Sequence, residues 1–224
     1  MICFISSRIA NFTLMTQNLQ IQNQNFSMHP SGSMFWEQQS ALLISDVHLG
    51  KVSHFRKFGA AVPRNAIGEN FRLLDEVIYF YKPKNIYFLG DLFHSYLNSE
   101  WGYFGNWVSK EKKQIILING NHDIISPLRY ESLGVQIVDE LVIDKFLLTH
   151  HPEKRKGLFN FCGHIHPAVK LRGPGKQSIR LPCFIKSKGQ MILPSFGTFT
   201  GSHTVKLKQQ DEAYAIAEGT VIKI

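Results

Sequence analysis

Four mostly apolar runs punctuate the chain, and each ends at a residue able to bind a cation. Ala41-Leu42-Leu43-Ile44 leads to Asp46-Val47-His48, and Ile86-Tyr87-Phe88-Leu89 leads to Gly90-Asp91. Ile115-Ile116-Leu117-Ile118 leads to Gly120-Asn121-His122, and Phe159-Asn160-Phe161-Cys162 to Gly163-His164-Ile165-His166. Short continuous apolar runs are the pattern of strands buried on both faces, as in parallel sheets. Between the first two runs the period changes. Ile67, Phe71, Leu74, Ile78 and Tyr81 recur at three- and four-residue steps, predicting an amphipathic helix that Pro63 opens and Pro83 closes. Leu97, Trp101, Phe104 and Val108 predict a second helix, weakened by Gly102 and Gly105. The first half therefore reads β-α-β-α-β, a parallel sheet covered by helices.

Upstream, residues 19–21 and 34–36 read as strands around a turn at 29–32. Downstream the style changes to short strands and tight turns, over 135–138, 141–144, 146–149, 159–162, 168–171, 179–185 and 191–193. Turn signals fall at Gly173-Pro174-Gly175 and Lys188-Gly189. The sum predicts an α/β sandwich of two sheets with ligands on loops at strand C-termini, where open α/β sheets bind them. No linker marks a second domain. Residues 17–224 are expected to form one domain, with 1–16 a disordered or non-native extension and Met15 an alternative start. Ser6, Ser7 and Arg8 interrupt the mildly apolar N-terminus, which argues against a signal peptide or membrane anchor.

Composition narrows this little. Hydrophobic content of 44% and charged content of 19% over 224 residues are those of a folded globular chain. Three widely spaced cysteines form no disulfide framework and suggest a reducing, cytoplasmic setting; Cys162, inside a strand pattern, reads as a small buried hydrophobe. The formal charge of +8 favours a polyanionic partner. A short Gln/Asn-rich stretch at 17–26 is the only compositional bias.

The chemistry lies in the motifs. Asp46 and His48 are two residues apart, so at an extended strand end both reach one cation. Gly120 permits a tight turn and Asn121 offers a neutral oxygen. His164 and His166, two imidazoles two apart after a strand, have little structural use. His150 and His151 follow another strand. Oxygen and nitrogen donors without thiolate suit Mn, Fe, Zn or Ni better than Ca or Mg, and such sites activate water toward phosphate esters.

Asp-x-His, Gly-Asp, Gly-Asn-His, His and Gly-His-x-His, in this order, resemble the calcineurin-like metallophosphoesterase superfamily. The resemblance implies a four-layer αββα sandwich of two mixed β-sheets flanked by helices, holding two divalent metals, by default Mn. It implies that one ion is held by Asp46, His48, Asp91 and His166, and the other by Asp91, Asn121, His150 and His164, with Asp91 bridging. His150 is preferred to His151 because it comes first after the strand. Water activated between the ions would attack phosphorus in line, and His122 would assist the leaving oxygen.

Flanking residues narrow the resemblance. Gly50-Lys51, His54-Phe55-Arg56-Lys57, Ala61-Val62-Pro63, Leu181-Pro182-Cys183-Phe184 and Leu193-Pro194-Ser195-Phe196-Gly197 look like the bacterial ligase-associated DNA damage response endonucleases (PdeM), over about residues 19–202. That branch implies DNA as substrate and a DNA ligase and repair helicase as partners. Basic clusters adjoin three motifs: Lys51, His54, Arg56 and Lys57; Lys154, Arg155 and Lys156; Lys170, Arg172 and Arg180. Lys51, Arg56, Lys57 and Arg155 are the expected substrate contacts, with Phe55 and Phe58 either stacking on bases or packing inward. Two alternatives stand beside this reading: a small-nucleotide or pyrophosphate-type phosphoesterase, and a non-catalytic DNA-repair scaffold.

Overall fold

A computed structural model describes residues 15–57, 59, 66–94, 96–175 and 177–224. The first sheet begins as an antiparallel meander of β1 (Gln17–Ile21), β2 (Gln24–Met28), β3 (Met34–Trp36) and β4 (Ala41–Ile44). It continues as a parallel array of β4 with β5 (Asn85–Leu89), β6 (Gln114–Ile118) and β7 (Val135–Val138). The crossovers carry α1 (Lys51–Lys57), α2 (Ala66–Tyr81), α3 (Ser99–Lys110) and α4 (Pro127–Glu131).

The second sheet is mixed. It holds β8 (Leu141–Ile143), β9 (Phe146–Leu148), β10 (Phe159–Cys162), β11 (Pro167–Arg172), β12 (Ser178–Ser187), β13 (Gln190–Ile192), β14 (His203–Thr204), β15 (Glu212–Ala217) and β16 (Thr220–Lys223). Its order is β14-β11-β12-β13-β10-β9-β8, with β15 also pairing to β12 and β16 to β15.

These are the two mixed sheets and helices expected of the sandwich, with differences in detail. The 135–138 strand closes the parallel sheet instead of joining the strand-rich half. The Gln/Asn-rich stretch is a hairpin, turning at Gln22 and Asn23 in the left-handed region (φ 47° and 65°). Asn18, Gln20 and Asn25 face out, while Phe26 and Met28 are buried and Gln24 accepts from the Trp36 indole N–H. Helices α1 and α4 and strands β14 to β16 lay outside the sequence reading. The proposed helix start at Pro63 and most of the 1–16 extension lie outside the described residues. Met15 itself is tied in, its N–H donating to Gly219 and its carbonyl accepting from Val221.

The inter-sheet core is aromatic. Trp36 and Phe26 from the first sheet meet Phe146 and Phe161 from the second, with centroids 4.9 Å apart for both Phe26–Phe161 and Trp36–Phe146. On the other face of the first sheet, Leu42, Ile44, Ile86, Phe88 and Leu117 pack on Leu74, Val77 and Ile78 of α2 and Phe104 and Trp107 of α3. A small cluster of Val169, Cys183, Ile185, Ala213 and Ala215 lies on the outer face of the second sheet. Cys162 and Cys183 are buried free thiols, both pushed up by burial. Among the described residues no helix is long and apolar enough to cross a membrane.

One buried group carries an acid sensitivity. His29 is 4% exposed; its Nδ1 accepts from the Ser31 N–H and its Nε2 has no partner among the described residues. Burial pushes its pKa down to about 4, below the ordinary 6.5, so the folded state holds it neutral. The unfolded chain binds the proton more readily, so this contribution is complete above pH 6.5 and is lost as pH falls toward 4. At 1.36 kcal/mol per unit it amounts to roughly 3 kcal/mol. His29→Gln should flatten the fall of the urea midpoint between pH 7.5 and 4.5 relative to wild type. Parallel curves for the two proteins would contradict the assignment.

Candidate metal centre

Each motif sits where its strand ends, and both sheets contribute at the same edge. Asp46 and His48 follow β4, Asp91 follows β5, and Asn121 and His122 follow β6. From the second sheet, His150 and His151 follow β9, and His164 and His166 follow β10. The loops are tied to one another through backbone. The Asp46 and His48 N–H groups donate to the carbonyls of Gly90 and Asp91 at 3.2 and 3.0 Å, and the Gly163 N–H to that of His150 at 3.0 Å. Asp46, His48, Asp91, His164 and His166 all have positive φ, between 48° and 67°. Such a backbone is uncommon for non-glycine residues and collects at functional sites.

Two glycines let the loops approach. A Cβ on Gly90 would lie 2.3 Å from His150 Nδ1, and one on Gly163 would lie 1.6 Å from Ser45 Oγ. Asp46, His48, Asp91 and His150 are consequently almost fully buried. Three donor triads lie within 4.8 Å internally: Asp46, His48 and His166; Asp46, Asp91 and His150; and His150, His151 and His164.

Ring tautomers follow from the outer contacts. His150 Nδ1 donates to the Leu89 carbonyl at 2.9 Å, leaving the Nε2 lone pair facing inward, 3.0 Å from Asn121 Oδ1 and 3.4 Å from Asp91 Oδ1. His166 Nδ1 donates to the Gly201 carbonyl at 3.1 Å, so its Nε2 lone pair also faces inward, 3.4 Å from His48 Nε2. His164 Nδ1 lies 3.2 Å from His150 Nε2. Asp46 Oδ2 accepts from the Ser45 hydroxyl and the His164 N–H, while its buried Oδ1 receives no hydrogen bond, although His166 Nε2 is 3.1 Å away.

Lone pairs and a carboxylate oxygen that converge without a proton between them fit a cation. Titration agrees. Burial pushes His48 down to about 3 against the pull of Asp46. Burial also opposes a proton on His166, but Asp46 holds that ring above its ordinary value. Asp46 itself is held below the carboxylate range: burial works against this, and His166 and Ser45 outweigh it.

Residues 40–175 match the family described as calcineurin-like phosphoesterase. The chain belongs to that family. This calcineurin-like phosphoesterase is a metal-dependent enzyme. The crystal structure of Pseudomonas putida nuclease MPE is similar to it, with 27% identity over 93% of this chain and 100% of that one and a TM-score of 0.79. Escherichia coli YfcE, a phosphoesterase, aligns over 82% of this chain and 97% of its own at 14% identity and a TM-score of 0.43. No curated protein matches the sequence significantly.

The remaining expected residues of the phosphoesterase fall in different places. The His122 N–H donates to Asp91 Oδ1 at 2.9 Å, and its ring centroid is 5.6 Å from that of His48. His151 is exposed, its ring 4.0 Å from that of His164. Lys51 opens α1 half-buried, and burial lowers its pKa against the pull of Asp91. Arg56 lies on the same helix beside a cavity it shares with Phe71, Ser99 and Tyr103. The Lys57 side chain and Phe58 lie outside the described residues. Phe55 is 39% exposed and so is not a core residue.

Arg155 differs from the expectation. Its guanidinium is held by Glu140 at 2.7 Å through two nitrogens and by Glu153 of its own loop through two further contacts, so two acids occupy it.

Three contributors were missed from sequence. His94 brings its Nδ1 within 3.3 Å of His48 Nδ1, and its ring within 4.8 Å of that of His122. Its position three residues after Asp91 was the available signal. Buried Glu100 accepts from the Gly50 and Ser53 N–H groups at 2.7 and 3.0 Å, anchoring the start of α1 behind the His48 loop. Asp123 accepts from the Phe93 and Gly120 N–H groups at 3.0 Å each, and burial pushes it up to about 6.

Proposed function

We propose that this phosphoesterase is a dinuclear phosphodiesterase cutting DNA. One ion would be held by Asp46, His48, Asp91 and His166 and the other by Asp91, Asn121, His150 and His164, with Mn the expected metal. Bound there, two divalent cations lower the pKa of water and offset charge on the phosphoryl oxygens. The observation that carries the reading is the inward convergence of lone pairs from both sheets on Asp91. His150 takes the ligand role over His151 because its outer nitrogen is fixed on Leu89 and its inner one meets Asn121 and Asp91.

The chain's own residues supply the rest. His122, its backbone anchored on Asp91, delivers a proton to the leaving oxygen. His94 lies against both His122 and His48 and restricts the orientation of the two rings. Lys51 and Arg56, on the helix that leaves the His48 loop, meet substrate phosphates. Arg155, occupied by two glutamates, is left out of this role.

The DNA assignment rests on the +8 charge and on the whole-length likeness to a nuclease. The resemblance to the ligase-associated branch supports a cytoplasmic role in DNA repair beside a DNA ligase and a repair helicase. The test is hydrolysis of bis-p-nitrophenyl phosphate and of the corresponding monoester, with Mn and after chelation. Diester turnover should require metal and fall about a hundredfold in His122→Ala. Turnover indifferent to both would overturn the reading.

A further inference from the structure

We propose that the hairpin of β11 and β12 is an arm that grips the sugar-phosphate backbone of a polynucleotide outside the metal centre, through Lys170, Arg172 and Arg180. The inference rests on the nucleic-acid reading above and extends it to a second contact surface.

The arm begins at the site, because Pro167 directly follows His166. β11 meets β14 only at Pro167 and Ala168, and residues 178–182 of β12 pair with β11 alone. Beyond Ala168 the hairpin is thus a two-stranded ribbon. Its direction follows from strand polarity. β10 and β13 are parallel and β12 is antiparallel to β13, so the free start of β12 projects past the edge where β10 delivers His164 and His166.

Strand alternation fixes its faces. Phe184 lies in the inter-sheet core, so Pro182 and Arg180 point to the same side, toward the first sheet and its share of the donors. Lys170 is directly opposite Arg180, and Arg172 opposite Ser178, which puts all three cations on that face. Leu171, Ile179 and Leu181 take the other side, continuous with the small outer cluster.

Lys170 and Arg180 are like charges directly across a strand pair, an arrangement that destabilises a hairpin. No acid offsets it: none of the three cations makes an ion pair or side-chain hydrogen bond among the described residues. A groove of about 350 Å³ lies beside them, lined by Lys170, Arg172, Gly173, Pro174 and Ser178. Uncompensated cations along a ribbon that starts beside a phosphodiester site suit a run of phosphates. At about 3.3 Å per strand residue, Lys170 and Arg172 stand roughly 13 and 20 Å along the chain from His166. That span equals about four to six base-pair steps of one DNA strand.

The experiment compares kcat/KM for a 30-nucleotide substrate with that for bis-p-nitrophenyl phosphate, which is too small to span the distance, across a salt series. The variants are Arg180→Glu and the triple Lys170→Gln/Arg172→Gln/Arg180→Gln. Arg180→Glu sets a carboxylate opposite Lys170, so its Tm should equal or exceed that of wild type. Both variants should lower the long-to-short ratio at least about tenfold. The triple variant should also reduce the log–log salt slope by about two to three. Unchanged ratio and slope in variants that fold, beside a wild type that cuts the long strand, would overturn the arm alone. A wild type that turns over the small diester but ignores polynucleotides at low salt overturns the nucleic-acid reading and the arm with it.

Discussion

Asp91→Asn is expected to lower kcat/KM for phosphodiester hydrolysis by roughly 10⁴-fold, about 5.5 kcal/mol of transition-state stabilisation. Asp91 is 2% exposed and lies between the two halves of the site, with Oδ2 3.8 Å from His48 Nε2 and Oδ1 3.4 Å from His150 Nε2. Asparagine preserves the shape but removes a buried carboxylate that faces donors from both sheets. It also turns an amide N–H₂ toward lone pairs that a cation would otherwise meet. Metal analysis of the purified variant after loading and desalting should show at least one ion fewer per chain. Full metal content with full activity would remove Asp91 from the bridging position proposed for it. Loss of activity with full metal content would move its role to the chemistry.

The second large effect comes from a hydrogen atom. Gly163→Ala would place a methyl 1.6 Å from Ser45 Oγ and 2.8 Å from Ser45 Cβ, and 2.5 Å from Asp46 Oδ2. Ser45 is fully buried on the backbone of the donor loop, so the contact cannot be relieved by a side chain swinging into solvent. Destabilisation of about 3 kcal/mol or more is expected, which for a chain of this size lowers Tm by roughly 6–12 °C. The double variant Ser45→Gly/Gly163→Ala removes the Ser45 atoms but leaves Asp46 Oδ2, so Gly163→Ala should cost less in the Ser45→Gly background than in wild type. A Gly163→Ala protein with wild-type Tm would show that the ends of β4 and β10 are not in the close contact described.

The parts of the fold written locally were legible in the sequence. The apolar runs of β4, β5, β6 and β10 and the stepped face of α2 each follow from residues within one element, and the donors follow those strands. What escaped depends on distant partners. Helix α1 is seven mostly polar residues, and Glu100, half a hundred residues on, secures its first turn. β2 is Gln24-Asn25-Phe26-Ser27-Met28, whose polar composition hides a buried inner face. β7 looks like any short strand, and only pairing with β6 assigns it to the first sheet. Arg155 illustrates the limit for single charges. A cation beside a motif reads as a substrate contact until Glu140, fifteen positions away, is seen to hold it. His94 escaped because a histidine five residues past a strand has no period to mark it.

The donor set is divided between the layers, with Asp46, His48, Asp91 and Asn121 on one sheet and His150, His164 and His166 on the other. Ions held between them would act as a removable cross-link across the sandwich. By mass action their binding would add RT ln(1 + [M]/Kd) to the cohesion of the two layers, about 2.7 kcal/mol at a hundredfold excess over Kd. Resistance to unfolding would thereby be coupled to metal supply, and a metal-starved cell would hold this protein in a form that is both inactive and more readily degraded.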